Sequence, residues 1–441
     1  MKILFISLGC DKNLADTEYM LGKLERKGYT FTDDELEAEI IVVNTCCFIH
    51  DAKEESIQTL LEMGQLKEEG NAKVLIATGC LAERYKDEIQ TEIPEVDAIV
   101  GTNAIDKIVE AVEKALQKEN GNQLADINSA PAFGKERIVT TGGHFAYLKI
   151  AEGCNKNCTY CIIPKVRGHY RSIPMEHLLE SARELADKGV KELILVAQET
   201  TLYGMDLYGK KMLPELLRKL CEISGLYWIR ILYCYPEEIT EELITVIKEE
   251  KKICNYLDIP IQHCSDDILK KMGRRTNENS LRAMIGKLRE EIPDICLRTT
   301  LITGFPGETE NDHEKNMAFV DEMEFDRLGV FTYSPEENTK AAEFPEQIDE
   351  SVKEDRQAEI MELQQEIAFY KAEEMIGKEV LVMIEGKVAD ENAYVGRTYK
   401  DAPNVDGLIF VNTDEELMTG DFALVKVTGS YEYDLIGEIV K

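Results

Sequence analysis

Cys154, Cys158 and Cys161 are spaced C-x3-C-x2-C and directly follow residues 145–150, an apolar run with the length of a strand. Three thiolates this close at a strand end can bind three irons of a cubane and leave the fourth open to an outside ligand, so their spacing matters more than their number. A zinc knuckle or a redox C-x2-C pair is the alternative. Zinc, however, wants a fourth cysteine or histidine at its own short spacing, and His169 is the only one nearby. A second pattern is more dispersed. Residues 2–8, 40–44 and 73–78 have strand character, and each leads into a cysteine: Cys10 in Ser7-Leu8-Gly9-Cys10, Cys46 in Asn44-Thr45-Cys46, and Cys80 in Thr78-Gly79-Cys80. The carboxyl ends of parallel strands share one sheet edge, where ligands bind, so these three thiols can meet and hold a second cluster. Cys47 and the scattered Cys221, Cys234, Cys254, Cys264 and Cys296 fit buried core positions, which free cysteine commonly takes.

The elements that must position these residues follow from hydrophobic period. Up to about residue 118, strands at 2–8, 40–44, 73–78 and 98–101 alternate with helices at 14–27, 52–69 and 82–90, which predicts a parallel sheet covered by helices. Residues 118–135 are polar and rich in turn formers, a linker pattern that sets a first boundary at 135. From 136 to 376 the alternation resumes as about six strand-helix units. That is too few for a closed eight-unit barrel, so a partial (βα)6 barrel is expected. The charged helical stretch 349–375 leads to residues 377–441, where short Val, Ile, Leu and Tyr runs between glycines predict a small all-β barrel. The expected fold class is therefore multidomain α/β with a separate β module.

Composition bounds the function. At 441 residues, 44% hydrophobic and 31% charged, the chain has the apolar content of a folded protein of about two to three domains. No run reaches the roughly 18 apolar residues of a membrane span, and the start leads straight into a strand without a signal-peptide layout, so a cytoplasmic location and no membrane partner are expected. There twelve cysteines point to metal or redox chemistry rather than disulfides. The net charge of −33 is spread over all three parts, which argues against a nucleic-acid backbone such as tRNA and for a basic partner. Within this acidic chain the basic stretch 165–172 is notable, and one of Arg167 and Arg171 is expected to face a substrate or cofactor carboxylate. Arg274 and Arg275 are expected in a surface turn.

The C-x3-C-x2-C opening of a six-unit βα domain resembles the radical S-adenosylmethionine superfamily. Two three-cysteine sites in this order with a terminal β module resemble its methylthiotransferase family, over essentially the whole chain. Ser7-Leu8-Gly9-Cys10-Asp11-Lys12-Asn13, the segments 51–57 and 147–154, and Ala402-Pro403-Asn404-Val405-Asp406-Gly407 are similar to the RimO branch, which modifies an aspartate of small-subunit ribosomal protein twelve. Cys47 departs from that pattern, where glycine is usual. The resemblance implies two [4Fe-4S] clusters, on Cys10, Cys46, Cys80 and on Cys154, Cys158, Cys161. It also implies S-adenosylmethionine as radical source and methyl donor, and a TRAM module at the carboxyl terminus. Tyr160 fits the family's cluster loop, and Gln198, Glu199, Gly304 and Gly307 lie at strand ends where the cofactor would sit. The implied reaction places a methylthio group on the aspartate β-carbon, whose C–H bond offers no handle for acid–base catalysis, so a radical is required. A basic ribosomal protein docking on the acidic surface and TRAM module, and a reductant protein, are the implied partners. A tRNA-modifying sister enzyme, or a non-catalytic iron–sulfur carrier or RNA-binding module, are the competing readings.

Overall fold

The structure, a computed structural model, describes residues 1–134, 137–389 and 391–440. The expected boundary between 135 and 136 falls on Lys135 and Glu136, outside the described residues.

The amino-terminal sheet contains β1 (Lys2–Ser7), β2 (Thr30–Phe31), β3 (Ile40–Thr45), β4 (Val74–Thr78) and β5 (Ala98–Val100). All pair in parallel in the order β2-β1-β3-β4-β5. β3 and β4 are buried throughout because helices cover both faces, which explains their continuous apolar runs. In this strand order the connections diverge between β1 and β3, and the crevice at their carboxyl ends is where such sheets bind ligands. The Cys10 and Cys46 loops flank that crevice, and the Cys80 loop follows the neighbouring β4.

The second sheet is parallel and six-stranded, in the order β6 (Phe145–Lys149), β9 (Glu192–Val196), β10 (Trp228–Ile231), β11 (Ile253–Asp258), β12 (Cys296–Thr303) and β13 (Arg327–Thr332). Between β6 and β9 a short antiparallel hairpin, β7 (Ala151–Glu152) with β8 (Arg171–Ser172), clamps both ends of the loop carrying the C-x3-C-x2-C cysteines. One face of the sheet packs on helices to form the largest core. The other is lined by Phe145, Tyr147, Trp228 and Tyr256 and meets Met383 and Ala402 of the carboxy-terminal module. That module is a closed barrel of β14 (Glu379–Lys387), β15 (Ala393–Arg397), β16 (Ile409–Asn412), β17 (Phe422–Tyr431) and β18 (Asp434–Ile439). Among the described residues no helix is long and apolar enough to cross a membrane.

A buried ion-pair network fastens the barrel to the sheet. Glu192 at the start of β9 accepts from Arg230 Nε and from Arg397 NH2, each at 2.7 Å, and both arginines are fully buried. Burial alone would push the Glu192 carboxyl up, but Arg397 and Arg230 outweigh it and hold its pKa below the ordinary 4.5. Its contribution to stability is therefore complete above that value and is lost as pH falls through the depressed one. Glu192→Leu would strand two buried guanidiniums, and a loss of about 3–5 kcal/mol is expected, read as a lowered urea midpoint. An unchanged midpoint would show that the network does not hold the module.

Candidate functional site

The first cysteine triad is assembled by three loops stitched together by polar side chains. Cys10 precedes α1 (Asp11–Arg26). Asn13 in the first turn of α1 donates from Nδ2 to the carbonyls of Leu8 and Thr45, each at 3.0 Å, tying the ends of β1 and β3. Asn44 Nδ2 donates to Asn13 O at 2.8 Å, and Thr45 Oγ1 to Thr78 O at 2.6 Å, which adds the end of β4. Gly9 has φ +85, and a Cβ there would lie 2.7 Å from Cys46 Cβ and 2.9 Å from its Sγ. Cys46 thus faces the Cys10 loop, whereas Cys47 is packed into the core among Leu60, Leu81 and Ala82.

The second triad sits in the loop bracketed by β7 and β8. Gly153, at φ +78, passes so close to the His169 carbonyl that no side chain fits. Thr159 N–H donates to Met272 O at 2.9 Å and its hydroxyl to Lys271 O at 2.8 Å, anchoring the loop to the segment that follows β11. Cys154 and Cys158 are buried and Cys161 half-buried, while His169 is exposed. Lys156 N–H donates to Cys154 Sγ at 3.5 Å, and the Tyr235 hydroxyl lies 3.9 Å from Cys158 Sγ. Burial pushes the Cys154 thiol up to about 11 and that of Cys46 to about 12.

Arg167 joins the two triads. It follows Cys161 by six residues, yet its Nε donates to Cys80 Sγ of the first triad at 3.3 Å. Its NH1 donates to Asp16 at 2.8 Å and Glu152 at 3.1 Å, and its NH2 to Asn13. Lys149 completes the buried seam, bonding Glu152 at 2.8 Å and Asp16. Burial alone would raise Glu152, but Lys149 and Arg167 hold it well below the carboxylate range. The expectation that one of Arg167 and Arg171 faces a substrate or cofactor carboxylate is corrected for Arg167, because its donors are taken by a thiol, an amide oxygen and two carboxylates of its own chain. Arg171 donates from NH2 to the Arg167 carbonyl at 3.0 Å, and its Nε and NH1 have no hydrogen-bond partner among the described residues.

Around the second triad several buried polar atoms lack hydrogen-bond partners among the described residues. Gln198 donates from Nε2 to Glu152 at 2.9 Å, but its Oε1 is unpaired. Glu199 accepts from Thr201, leaving Oε2 without a hydrogen bond and 3.7 Å from Lys156, and burial pushes its carboxyl up to about 7. Tyr160 packs edge-on against Phe305 at 6.4 Å. Phe305 belongs to the turn made by Gly304 (φ +69) and Gly307 (φ +77), where added side chains would run into Lys353 and Lys271. Arg274 is not in a surface turn. It is 8% exposed, its guanidinium covers the Tyr235 ring at 4.4 Å, and its NH2 donates to Pro260 O at 2.8 Å, while Nε and NH1 are buried without partners.

This donor set suits iron–sulfur ligation. All six thiols are free, each triad has an N–H aimed at one sulfur, and such donors stabilise a charged thiolate. Among the described residues no three metal-ligating side chains surround a single point. A cubane does not require that, since each thiolate takes its own iron. The unpaired carboxylate and amide oxygens and the two guanidinium nitrogens suit a ligand with both an ammonium and a carboxylate group. Sequence reasoning missed Asp16, Glu152 and Arg274. Asp16 had a signal: Asn13, Asp16 and Thr17 stand at i, i+3 and i+4, one polar stripe on a helix that the structure buries.

Comparison with known proteins gives three family matches: residues 2–101 to uncharacterized protein family UPF0004, 148–320 to the radical SAM superfamily, and 376–440 to the TRAM domain. A Lachnoclostridium phytofermentans protein named ribosomal protein uS12 methylthiotransferase RimO is 63% identical over 437 residues, 99% of both chains. Proteins of the same name from Thermoanaerobacter sp. and Clostridioides difficile are 50% and 49% identical, over 98% and 100% of this chain and 98% and 99% of theirs. Among solved structures, the radical S-adenosylmethionine methyltransferase TsrM from Kitasatospora setae matches with TM-score 0.56 at 12% identity, over 77% of this chain and 76% of that one. This likeness concerns the fold.

Proposed function

The chain belongs to the uS12 methylthiotransferase family RimO, and we propose that its two cysteine triads are the two poles between which the modified aspartate is held. It is a radical S-adenosylmethionine transferase that places a methylthio group on the β-carbon of an aspartate of ribosomal protein uS12, using two [4Fe-4S] clusters. When bound, these groups supply the hydrogen-abstracting radical and the methylthio unit.

The chain's own residues divide the remaining work. Cys154, Cys158 and Cys161 would hold one cluster, and Cys10, Cys46 and Cys80 would hold the second. Tyr160, Gln198, Glu199 and the Gly304–Gly307 turn would line the site of S-adenosylmethionine, with Arg274 added to that set. Glu199 offers an acceptor to its ammonium and Arg274 two donors to its carboxylate. The observation that carries this reading is Arg167, which binds Cys80 while tethered six residues from Cys161, so both triads border one buried seam. Units 1–135, 136–376 and 377–441 would then be the auxiliary-cluster, radical and TRAM domains. The acidic surface suits a basic ribosomal protein better than tRNA, and a cytoplasmic location and a reductant protein complete the proposal.

Close approach at Gly9 gives a local test. Gly9→Ala is expected to displace Cys46 and lower reconstituted iron from about eight to about four per chain. A variant retaining full iron would remove Cys46 from the ligand set. For the function as a whole, the anaerobically reconstituted protein would be given reductant, S-adenosylmethionine, unmodified uS12 and unmodified tRNA together. Mass spectrometry should find one hydrogen replaced by SCH3 on a uS12 aspartate alone. A gain on tRNA would overturn the substrate assignment, and a gain on neither would favour a carrier.

A further inference from the structure

Lys12 stands two residues beyond Cys10 in the first turn of α1. It is 7% exposed, and its ammonium lies over the Tyr233 ring, 3.2 Å from the centroid. Tyr233 follows β10 at the carboxyl edge of the second sheet, so this contact spans the two units that carry the triads. Among the described residues Lys12 has neither an ion pair nor a hydrogen-bond partner. Three other cations near the triads are engaged by the chain's own carboxylates, Lys149 and Arg167 by Asp16 and Glu152, Lys156 by Glu237 and Glu238, while Arg171 and Arg274 bond backbone carbonyls. The anions nearest Lys12 are committed too. Asp11 accepts from the Tyr233 hydroxyl at 3.1 Å, while Asp258 accepts from the Tyr233 backbone N–H at 3.0 Å and pairs with Arg298 at 3.3 Å.

A largely buried ammonium with no carboxylate in ion-pair reach is costly, and so is a side-chain carboxylate drawn out of water into a closed site. Each cost is relieved by pairing the two. The target carbon is one bond from such a carboxylate, and the Lys12 ammonium stands where the unit that carries the Cys10 triad meets Tyr233 at the carboxyl edge of the second sheet. We propose that Lys12 receives the carboxylate of the target aspartate and so makes an acidic side chain the accepted substrate. This rests on the reading of the triads as the two poles of the reaction. It separates the two carboxylates the site must handle, one at Lys12 beside Cys10 and one at Arg274 beside Cys158.

The test is a binding matrix on the reconstituted full-length protein, with uS12 and a uS12 variant whose target aspartate is asparagine. Wild type should bind the asparagine form about tenfold to a hundredfold more weakly. Lys12→Met should bind native uS12 about that weakly and no longer distinguish the two forms, while Lys12→Arg should keep part of the preference. Iron content and S-adenosylmethionine affinity should stay at wild-type values in both variants. A Lys12→Met protein that still prefers aspartate overturns the proposal. So does a wild type indifferent to the substitution, which decides the matter even if Lys12→Met loses iron. A wild type that binds iron but no uS12 would instead defeat the underlying functional reading.

Discussion

Replacing Cys158 by alanine is expected to abolish S-adenosylmethionine cleavage and uS12 modification together, while the matching change at Cys80 abolishes modification alone. Cys158 is buried in a loop clamped by β7 and β8. Iron should fall from about eight to about four per chain in either variant. What distinguishes them is which chemistry survives. Cys80 lies on the other side of the Arg167 seam, and losing it leaves the loop of Cys154, Cys158 and Cys161 anchored through Thr159 to Lys271 and Met272. Deoxyadenosine formation, measured by liquid chromatography, should therefore drop below detection for Cys158→Ala and persist for Cys80→Ala. Equal loss in both would mean that the triads form one interdependent centre, and the division of labour would have to be abandoned.

Arg274→Met should weaken S-adenosylmethionine binding by about tenfold to a hundredfold, the value of charge-assisted bonds worth about 1.5–3 kcal/mol. The guanidinium is already fixed by stacking on Tyr235 and by its bond to Pro260 O, so its two unpaired donors are held ready for a carboxylate at little further entropic cost. Lysine would keep the charge but not the planar fork, and Arg274→Lys should recover only part of the affinity. The uS12 affinity should not change. If titration gave wild-type affinity for S-adenosylmethionine in both variants, Arg274 would be a structural residue of the loop.

What could be read from the chain and what could not divides along physical lines. The three strand-end cysteines were legible because a parallel sheet gathers the ends of distant strands on one edge, and period alone locates the strands. The short apolar runs between glycines in 377–441 were legible as a small β barrel for the same reason. β2 and the β7–β8 hairpin, with two residues per strand, are too short to carry a period. Arg274 follows a glycine in a polar stretch and looked like a turn; its burial comes from Tyr235, 39 positions earlier, which only the tertiary fold brings over it. One of Arg167 and Arg171 is expected from the sequence to meet a substrate or cofactor carboxylate, but local sequence does not say whose carboxylate an arginine meets, and Asp16 reaches Arg167 from another unit.

The central claim is that both triads act on one aspartate carbon, and isotope transfer tests it most directly. uS12 carrying deuterium on the β-carbon of its aspartates would be turned over with S-adenosylmethionine, and both products analysed by mass spectrometry. Deuterium in deoxyadenosine, together with its loss from the same aspartate that gains SCH3, is the predicted result. Methylthiolation without deuterium in deoxyadenosine would contradict the account.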